Sequence, residues 1–267
     1  MVKRILIILL EVPMPKSIKR AVVSFGAALC MLFSVAVVSW GAGPLVLVDQ
    51  GHGQRFVVEQ EGELHLSRLA ALLGEEGLQV TTGRERLTDE SLAKAAALVI
   101  SGPFAPLAPE EVDAVVRFLE RGGRVALMLH IGQPLEGLIH RVGGDFSNSV
   151  IHERQNVIAG NDITFRVRDL ATHPLFGEVE QFSLYGGWAL NGLTPLARTS
   201  AEAWVDLDGN RKLSAGDAVD RFSVVTEGRI GAGRILIFGD DAIFQNRYLD
   251  DNNSRLARNL AQWLAGR

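Results

Sequence analysis

Leu45-Val-Leu-Val-Asp-Gln-Gly-His-Gly-Gln-Arg-Phe56 is the most informative segment of this chain. Its first four residues are apolar and rich in Val and Leu, which is typical of a parallel strand that is buried on both faces. The strand pattern stops at Asp49, and His52 follows in a turn between Gly51 and Gly53. In an open α/β sheet, ligands bind beyond the carboxyl ends of the strands. The sequence therefore predicts its first candidate site at the end of this strand.

The same buried-strand pattern recurs at residues 97–101, 124–129 and 234–238, and amphipathic helical segments separate the first three strands. Strands that alternate with helices in this way predict right-handed crossovers and a parallel sheet. Between residues 163 and 225 the apolar runs are shorter, and some of them are expected to be antiparallel. We predict one α/β domain over residues 43–267. It is expected to be a flavodoxin-like three-layer sandwich with a mostly parallel central sheet and extra antiparallel strands in its second half.

Residues 1–42 have the layout of a targeting segment. Lys16, Lys19 and Arg20 precede an uninterrupted apolar run over residues 21–40, which ends in small residues. This pattern predicts either a cleaved signal peptide or a retained N-terminal membrane anchor. The domain is therefore expected to be exported, either periplasmic or anchored to the outer face of the inner membrane.

Charge and cysteine content limit the function classes. The chain has a formal net charge of −4, and residues 1–42 hold five of its 27 Lys and Arg but one of its 31 Asp and Glu, so residues 43–267 carry −8. Such acidity disfavours nucleic acid as a partner, and contact with the membrane is expected only through an uncleaved N-terminal segment. Cys30 is the only cysteine and lies in the targeting segment, which excludes a thiol nucleophile from the domain. The expected partner is a small molecule or an envelope protein.

Two strand ends carry the residues that we predict to bind a ligand. These residues are Asp49, His52 and Gly53 after the first strand and Asp240, Asp241 and Asn246 after the strand at residues 234–238. A histidine beside carboxylates suits general base chemistry or a divalent metal. Alternatively, the aspartates cap the helices that follow them, and His52 bonds a neighbouring loop. His130 and His140 are expected to have packing or surface roles.

A second pattern occurs at residues 206–217, Asp-Leu-Asp-Gly-Asn-Arg-Lys-Leu-Ser-Ala-Gly-Asp. Numbered as a twelve-residue calcium loop, it supplies oxygen ligands from Asp206, Asp208, Asn210, the backbone of Lys212 and Asp217. Arg211 replaces the glycine of the sharp turn, and flanking helices are not evident. An aspartate-rich turn between two strands explains the same residues, so Ca²⁺ is a possible cofactor.

Four short stretches resemble class I glutamine amidotransferase-like domains, in particular a bacterial branch of exported or membrane-anchored proteins that lack the catalytic cysteine. They are Val46-Leu-Val-Asp-Gln-Gly-His-Gly, Gly122-Gly-Arg-Val-Ala-Leu, His173-Pro-Leu and Gly233-Arg-Ile-Leu-Ile-Phe-Gly-Asp-Asp-Ala-Ile-Phe-Gln-Asn. Domains related to that branch occur in a component of intraflagellar transport particles. The resemblance implies a flavodoxin-like sandwich, and it places His130-Ile-Gly at the turn where active members have their cysteine nucleophile.

Without that nucleophile, and without a Gly-x-Ser-x-Gly elbow, an enzyme is less expected than a binding protein. We therefore predict a non-catalytic, envelope-located binding or scaffolding domain. The alternative is a metal-assisted hydrolase that uses His52 with Asp49 and Asp240.

Overall fold

The computed structural model describes residues 43–267, so the targeting segment predicted at residues 1–42 lies outside the described residues. The strands, in chain order, are β1 (Leu45–Asp49), β2 (Gln79–Gly83), β3 (Ala97–Ser101), β4 (Arg124–Met128), β5 (Asp145–His152), β6 (Val157–Ile158), β7 (Asn161–Val167), β8 (Asp169–Leu170), β9 (Phe182–Tyr185), β10 (Trp188–Asn191), β11 (Thr194–Arg198), β12 (Trp204–Val205), β13 (Ala218–Val219), β14 (Ser223–Ile230) and β15 (Gly233–Phe238). The α-helices are α1 (Ser67–Glu75), α2 (Asp89–Leu92), α3 (Pro109–Glu120), α4 (Glu136–Arg141) and α5 (Asp251–Leu264). In this part of the chain, no helix has both the length and the apolar character needed to cross a bilayer.

One large mixed sheet organises the domain. Its twelve strands follow the order β13-β12-β5-β10-β14-β15-β4-β3-β1-β2, while β11 pairs with β14 and β8 pairs with β11. The neighbours among β15, β4, β3, β1 and β2 are parallel, and the other pairs of the sheet are antiparallel. Strands β6, β7 and β9 form a separate three-stranded sheet.

The prediction of an α/β fold with antiparallel strands in its second half is confirmed, but the prediction of a mostly parallel, flavodoxin-like sheet is wrong. Parallel neighbours need a long crossover, usually through a helix, whereas antiparallel neighbours need only a tight turn. Between Arg141 and Asp251 the described chain forms no α-helix. The strands there are therefore joined by turns and loops and pair antiparallel with one another, while β15 also pairs parallel with β4.

Helices cover both faces of the parallel strands. On one face, Val46 and Val99 belong to the hydrophobic cluster that contains Leu69 of α1 and Leu260 of α5. On the other face, alternate strand residues such as Ile100 pack in a second cluster with α2, α3 and α4. Each fully buried aliphatic side chain contributes about 1.5–3 kcal/mol to folding, so these two clusters fix the strands and the loops at their ends.

Candidate functional site

Four adjacent parallel strands, β1, β3, β4 and β15, end at one edge of the large sheet. In the register of the sheet, Met128 lies opposite both Ser101 of β3 and Phe238 of β15, and Asp49 lies opposite Ile100. The loops that leave these positions are therefore neighbours. Sites in α/β proteins form at this edge.

His52, in the loop after β1, is a buried link between two elements. Its Nδ1 lies 2.8 Å from Asp49 Oδ2 and its Nε2 lies 3.1 Å from Glu111 Oε1. Glu111 also accepts hydrogen bonds from the backbone N–H groups of Leu87 and Ala108 at the start of α3. Both ring nitrogens are therefore occupied, and His52 joins the end of β1 to helix α3.

Charge stabilises this link. Burial by itself would lower the pKa of His52, but the hydrogen bonds and negative charges of Asp49 and Glu111 outweigh it and raise the pKa. Burial would likewise raise the pKa of Glu111, but the backbone N–H groups and His52 prevail and lower it. Both shifts favour an imidazolium between two carboxylates. A ring in that state has no lone pair with which to bind a metal.

The structure does not bring His52 and Asp49 together with Asp240. Strands β1 and β15 are separated by β3 and β4, which corresponds to about 14 Å at the ~4.8 Å spacing of neighbouring strands. Within residues 43–267, the only group of three or more His, Cys, Asp or Glu with ligand atoms close enough to share an ion is Asp206, Asp208 and Asp217. The three residues of the predicted hydrolase site do not form such a group.

His130, in the loop after β4, forms the second histidine–aspartate pair of this edge. Its Nδ1 lies 3.0 Å from Asp241 Oδ1. The imidazole is 35% exposed, whereas Asp241 is buried. The Asp241 hydrogen bond raises the pKa of His130, and the charges of Asp241 and Asp240 add to this effect against burial and the charge of Arg55. Because a carboxylate accepts at Nδ1, Nε2 is left to face a ligand.

Asp240 and Asp241 are both buried at the end of β15. Asp240 accepts hydrogen bonds from the backbone N–H groups of Tyr185 and Ala242. Burial and the charge of Asp241 raise the pKa of Asp240 to about 7, and burial also raises the pKa of Asp241. Asp241 Oδ2 has no hydrogen-bond partner and lies against Gly102, where a Cβ would collide with it. Asp240 has a structural role, while Asp241 orients His130.

Three side chains of neighbouring loops surround His130. The rings of Phe56 and Phe104 lie 5.2 and 5.1 Å from the His130 ring, centroid to centroid. The guanidinium carbon of Arg55 lies 4.4 Å from the centroid of the Phe104 ring. We call Arg55, Phe56, Phe104, His130 and Asp241 the rim site. All of them except Asp241 are at least partly exposed, so the rim site presents a guanidinium, an imidazole that can be protonated and two aromatic rings to the surface.

Of the other predicted ligand-binding residues, Gly53 lies beside the rim site and Asn246 does not. Gly53 lies next to Phe104 and Ala105 and has φ +70°, a left-handed backbone conformation that favours glycine. Asn246 is buried, accepts a hydrogen bond from the backbone N–H of Arg68 and donates to Ser67 Oγ. Asn246 therefore fixes the beginning of helix α1.

Sequence reasoning missed most of the rim site. His130 was assigned a packing or surface role, and Arg55, Phe56 and Phe104 were not selected. A signal for His130 was present, because the amidotransferase resemblance placed it at the turn of the nucleophile. No spacing in the sequence links Phe104 to His130, since they meet only through the pairing of β3 with β4.

The predicted calcium loop folds around its carboxylates. One ligand atom from each of Asp206, Asp208 and Asp217 lies within 4.8 Å of the others. Asp206 accepts from the N–H groups of Gly209 and Arg211, and this lowers the pKa of Asp206 despite the opposing effect of burial. The side-chain oxygen of Asn210 accepts from the N–H of Lys212 and is engaged within the loop. The loop thus gathers three carboxyl groups, and oxygen ligands of this kind are what Ca²⁺ prefers.

Cavities of 390 and 560 Å³ lie away from the rim site, where strands β4 and β15 begin. On the wall of the larger cavity, Glu227 pairs with Arg234 and accepts a hydrogen bond from the Trp263 ring nitrogen. These bonds attach helix α5 to the sheet. These polar side chains already have partners within the domain, which favours a structural role for the edge of the sheet where β4 and β15 begin.

The fold and the rim site define an α/β domain with a mixed sheet and a histidine–aspartate pair at the carboxyl edge of its parallel strands. Residues 66–261, more than half of the chain, match the family described as "Domain of unknown function (DUF4350)". The chain therefore belongs to the DUF4350 family. No curated protein matches it.

Solved structures with a similar fold have low sequence identity to this chain. The "mmIFT52 N-terminal domain" is 16% identical, with 82% of this chain and 97% of that chain covered and a TM-score of 0.67. A ThuA-like protein from Bacteroides uniformis is 14% identical, with 85% and 94% covered and a TM-score of 0.48. At this identity the first likeness shows the fold alone.

The assignment to the class I glutamine amidotransferase-like superfamily is therefore wrong. The matching family is DUF4350, and the structural neighbour at a TM-score of 0.67 is the IFT52 domain. The stretches that suggested it are mainly buried strands followed by Gly and Asp turns. Such stretches occur in any protein with parallel strands, so they identify a strand and its turn rather than a family.

Proposed function

We propose that this chain is a non-catalytic binding or scaffolding domain that recognises a small ligand or a protein partner at the rim site. The observation that carries the proposal is the His130–Asp241 pair. A buried carboxylate orients a partly exposed imidazole that contacts two aromatic rings, and the second ring nitrogen forms no hydrogen bond within residues 43–267. Holding a buried carboxylate in this arrangement costs desolvation energy, which a binding role explains.

The side chains around His130 favour binding over covalent catalysis. Nucleophilic catalysis needs a hydroxyl or thiol within hydrogen-bonding reach of the base. Residues 43–267 contain no cysteine, and over this range no hydroxyl group forms a hydrogen bond with the His130 ring. Aromatic side chains and arginine are instead the residue types that are enriched where proteins recognise partners.

A ligand screen with rim-site variants tests this proposal. Sugars, cell-wall fragments, small acids and divalent ions are screened by thermal shift against the wild-type domain, and binders are retested on His130→Gln and Arg55→Gln. The control is Arg255→Gln, because Arg255 is an exposed arginine of α5 that pairs with Glu178. We expect a ligand whose binding is lost in both rim-site variants and kept in the control. Ligands that bind both rim-site variants as tightly as they bind the wild-type domain would contradict the proposal.

The same variants test the hydrolase alternative. Turnover of an ester, amide or glycoside panel that is abolished by His52→Ala would support the metal-assisted reaction. Turnover abolished by His130→Gln would identify the rim site as an active site and would end the proposal of a non-catalytic domain.

The envelope location remains a proposal that rests on the composition of residues 1–42. Cell fractionation of the tagged full chain tests it. We expect the protein in the periplasmic or inner-membrane fraction, and recovery in the cytoplasm would contradict it.

We propose calcium binding at residues 206–217 as a second function, because the three carboxylates that the sequence spacing selected converge in the structure. Saturating Ca²⁺ stabilises a protein by RT ln(1 + [L]/Kd), about 2.7 kcal/mol at a hundredfold excess over Kd. We expect Ca²⁺ to raise the Tm of the wild-type domain and a chelator to reverse the shift. Asp217→Asn should abolish the response, while Asp220→Asn serves as the control. An equal response in both variants would exclude this site.

A further inference from the structure

We propose that the ligand of the rim site carries an oxyanion, either a carboxylate or a phosphate, next to a planar or aromatic group. This inference rests on the proposed function, since it names the ligand class of the same site. It is drawn from the position of Arg55 and His130 relative to the ring of Phe104.

The Phe104 ring contacts two groups that can carry a positive charge. The Arg55 guanidinium carbon lies 4.4 Å from the centroid of the Phe104 ring, and the His130 ring centroid lies 5.1 Å from it. Two like charges repel each other, so a structure that holds both on one ring favours an anion between or above them. The cation–π contact fixes the guanidinium while leaving its N–H groups free to donate.

Arg55 is available for such an anion. Within residues 43–267 it forms no ion pair, whereas exposed arginines elsewhere, such as Arg84, Arg117 and Arg255, pair with carboxylates. This holds in a domain of net charge −8, where carboxylates are abundant. A guanidinium donates two parallel hydrogen bonds to a carboxylate or phosphate, which gives it specificity for planar or tetrahedral oxyanions.

His130 supplies the second donor. Asp241 holds the proton at Nδ1, so protonation of the ring places an N–H at Nε2. The charged groups that act on this ring are Asp241, Asp240 and Arg55. The hydrogen bond to the buried Asp241 stabilises the imidazolium at Nδ1, and an anion at Nε2 would stabilise it on its other side.

The neighbouring rings define the rest of the ligand. Phe56 meets His130 edge-on at an interplanar angle of 68°, and Phe104 is tilted at 42° to the same ring. Aromatic edges and faces arranged in this way pack against a planar or aromatic group. A simple inorganic anion would satisfy Arg55 and His130 but would leave the exposed parts of both phenyl rings in contact with water.

Binding of three probes tests the inference. Benzoate and phenyl phosphate carry the two oxyanions on an aromatic ring, and benzamide is the neutral counterpart of benzoate. Each is titrated into the domain while NMR follows the His130 ring. We expect at least one anion to bind about tenfold more tightly than benzamide, as the loss of a charge-assisted hydrogen bond implies. That anion should also raise the pKa of His130, because binding and protonation are reciprocally linked.

Variants and a change of pH test which side chains produce the preference for the anion over benzamide. Arg55→Gln and His130→Gln should each remove most of the preference for the anion, and Arg255→Gln should retain it. The preference should be larger at about pH 6 than at about pH 8, since the imidazolium is the form that donates at Nε2. A tighter carboxylate or a tighter phosphate would each support the inference and would identify the head group.

The inference is overturned if benzamide binds as tightly as both anions, or if neither anion perturbs His130 up to its solubility limit. A neutral sugar that binds the wild-type domain and is lost in the rim-site variants would also overturn it. That last result would leave the proposed binding function intact, so the two failures are distinguishable.

Discussion

Two histidine–aspartate pairs stand at the same edge of the sheet and differ in what the histidine has left to offer. His52 is 6% exposed, and carboxylates of Asp49 and Glu111 occupy both of its ring nitrogens. His130 is 35% exposed, and Asp241 occupies one ring nitrogen. The first pair connects two parts of the fold, whereas the second pair has a nitrogen and two aromatic neighbours available for a ligand.

The comparison shows that a carboxylate beside a histidine does not by itself indicate chemistry. The number of occupied ring nitrogens and the exposure of the ring distinguish a structural link from a binding group. The sequence favoured His52 because its loop combines glycines with Asp49. The structure favours His130, and the prediction that His52 contacts a ligand remains a prediction that this geometry does not support.

The largest expected difference between the two pairs is in stability. His52→Ala leaves the buried carboxylates of Asp49 and Glu111 without their counter-charge, and breaking a buried ion pair on one side costs about 3–5 kcal/mol. His130→Ala leaves one buried carboxylate, that of Asp241, without its partner, and this carboxyl can take up a proton because burial already raises its pKa, so the cost should be smaller, about 1–3 kcal/mol. Urea unfolding of both variants measures the difference. Equal losses would show that the two histidines do not have separate roles.

A smaller effect is expected at Gly102, which lies against Asp241 at φ +53°. Gly102→Ala adds a strained left-handed conformation, worth about 1–2 kcal/mol, and pushes the Asp241 carboxylate away from His130. We therefore expect both lower stability and a lower pKa of His130, read by unfolding and by NMR titration. Gly74→Ala is the control, because Gly74 lies in α1 with open space around it and should gain up to about 1 kcal/mol.

The pH dependence of stability should change with Asp241. The folded pKa of Asp240 is about 7, above its usual 3.8, so the folded state holds a proton that the unfolded state releases and stability is lost as pH rises from about 4 to about 7. Asp241→Asn brings the pKa of Asp240 down by removing the neighbouring charge, and it also removes the raised pKa of Asp241 itself; both changes reduce this loss, by about 1 kcal/mol per unit of pKa.

Urea unfolding at several pH values measures that slope. The raised pKa of His52 acts in the same direction, since its contribution is complete below pH 6.5 and is lost as pH rises through the folded pKa. Asp241→Asn should leave the contribution of His52 to the pH dependence of stability unchanged. A slope that is identical in wild type and Asp241→Asn would contradict the coupling between the two aspartates.

Part of the fold could be predicted from local pattern alone. Apolar runs bounded by Gly and Asp located β1, β3, β4 and β15, because fully buried strands need only their own residues to be recognised. The antiparallel half was harder, since its strands are short and their pairing depends on turns rather than on crossover helices. The expectation of a mostly parallel sheet extended the pattern of the first half too far.

Prediction of the candidate sites from the sequence has the same limit. The converging carboxylates of Asp206, Asp208 and Asp217 lie within twelve residues, so spacing was enough to select them. Glu111 lies 59 residues from His52 and reaches it only because α3 packs beside the end of β1. Phe104 and His130 are likewise joined by sheet register. Contacts between distant loops are set by tertiary packing, which a single sequence does not display.

The most direct test of the rim site is a pH titration of the histidine rings by nitrogen-resolved NMR. We expect His130 to keep its proton at Nδ1, to titrate at Nε2 with a raised pKa and to respond to benzoate or phenyl phosphate. His52 should titrate with a raised pKa and should not respond to either probe. A response of His52, with His130 unchanged, would contradict the assignment of binding to His130 and of structure to His52.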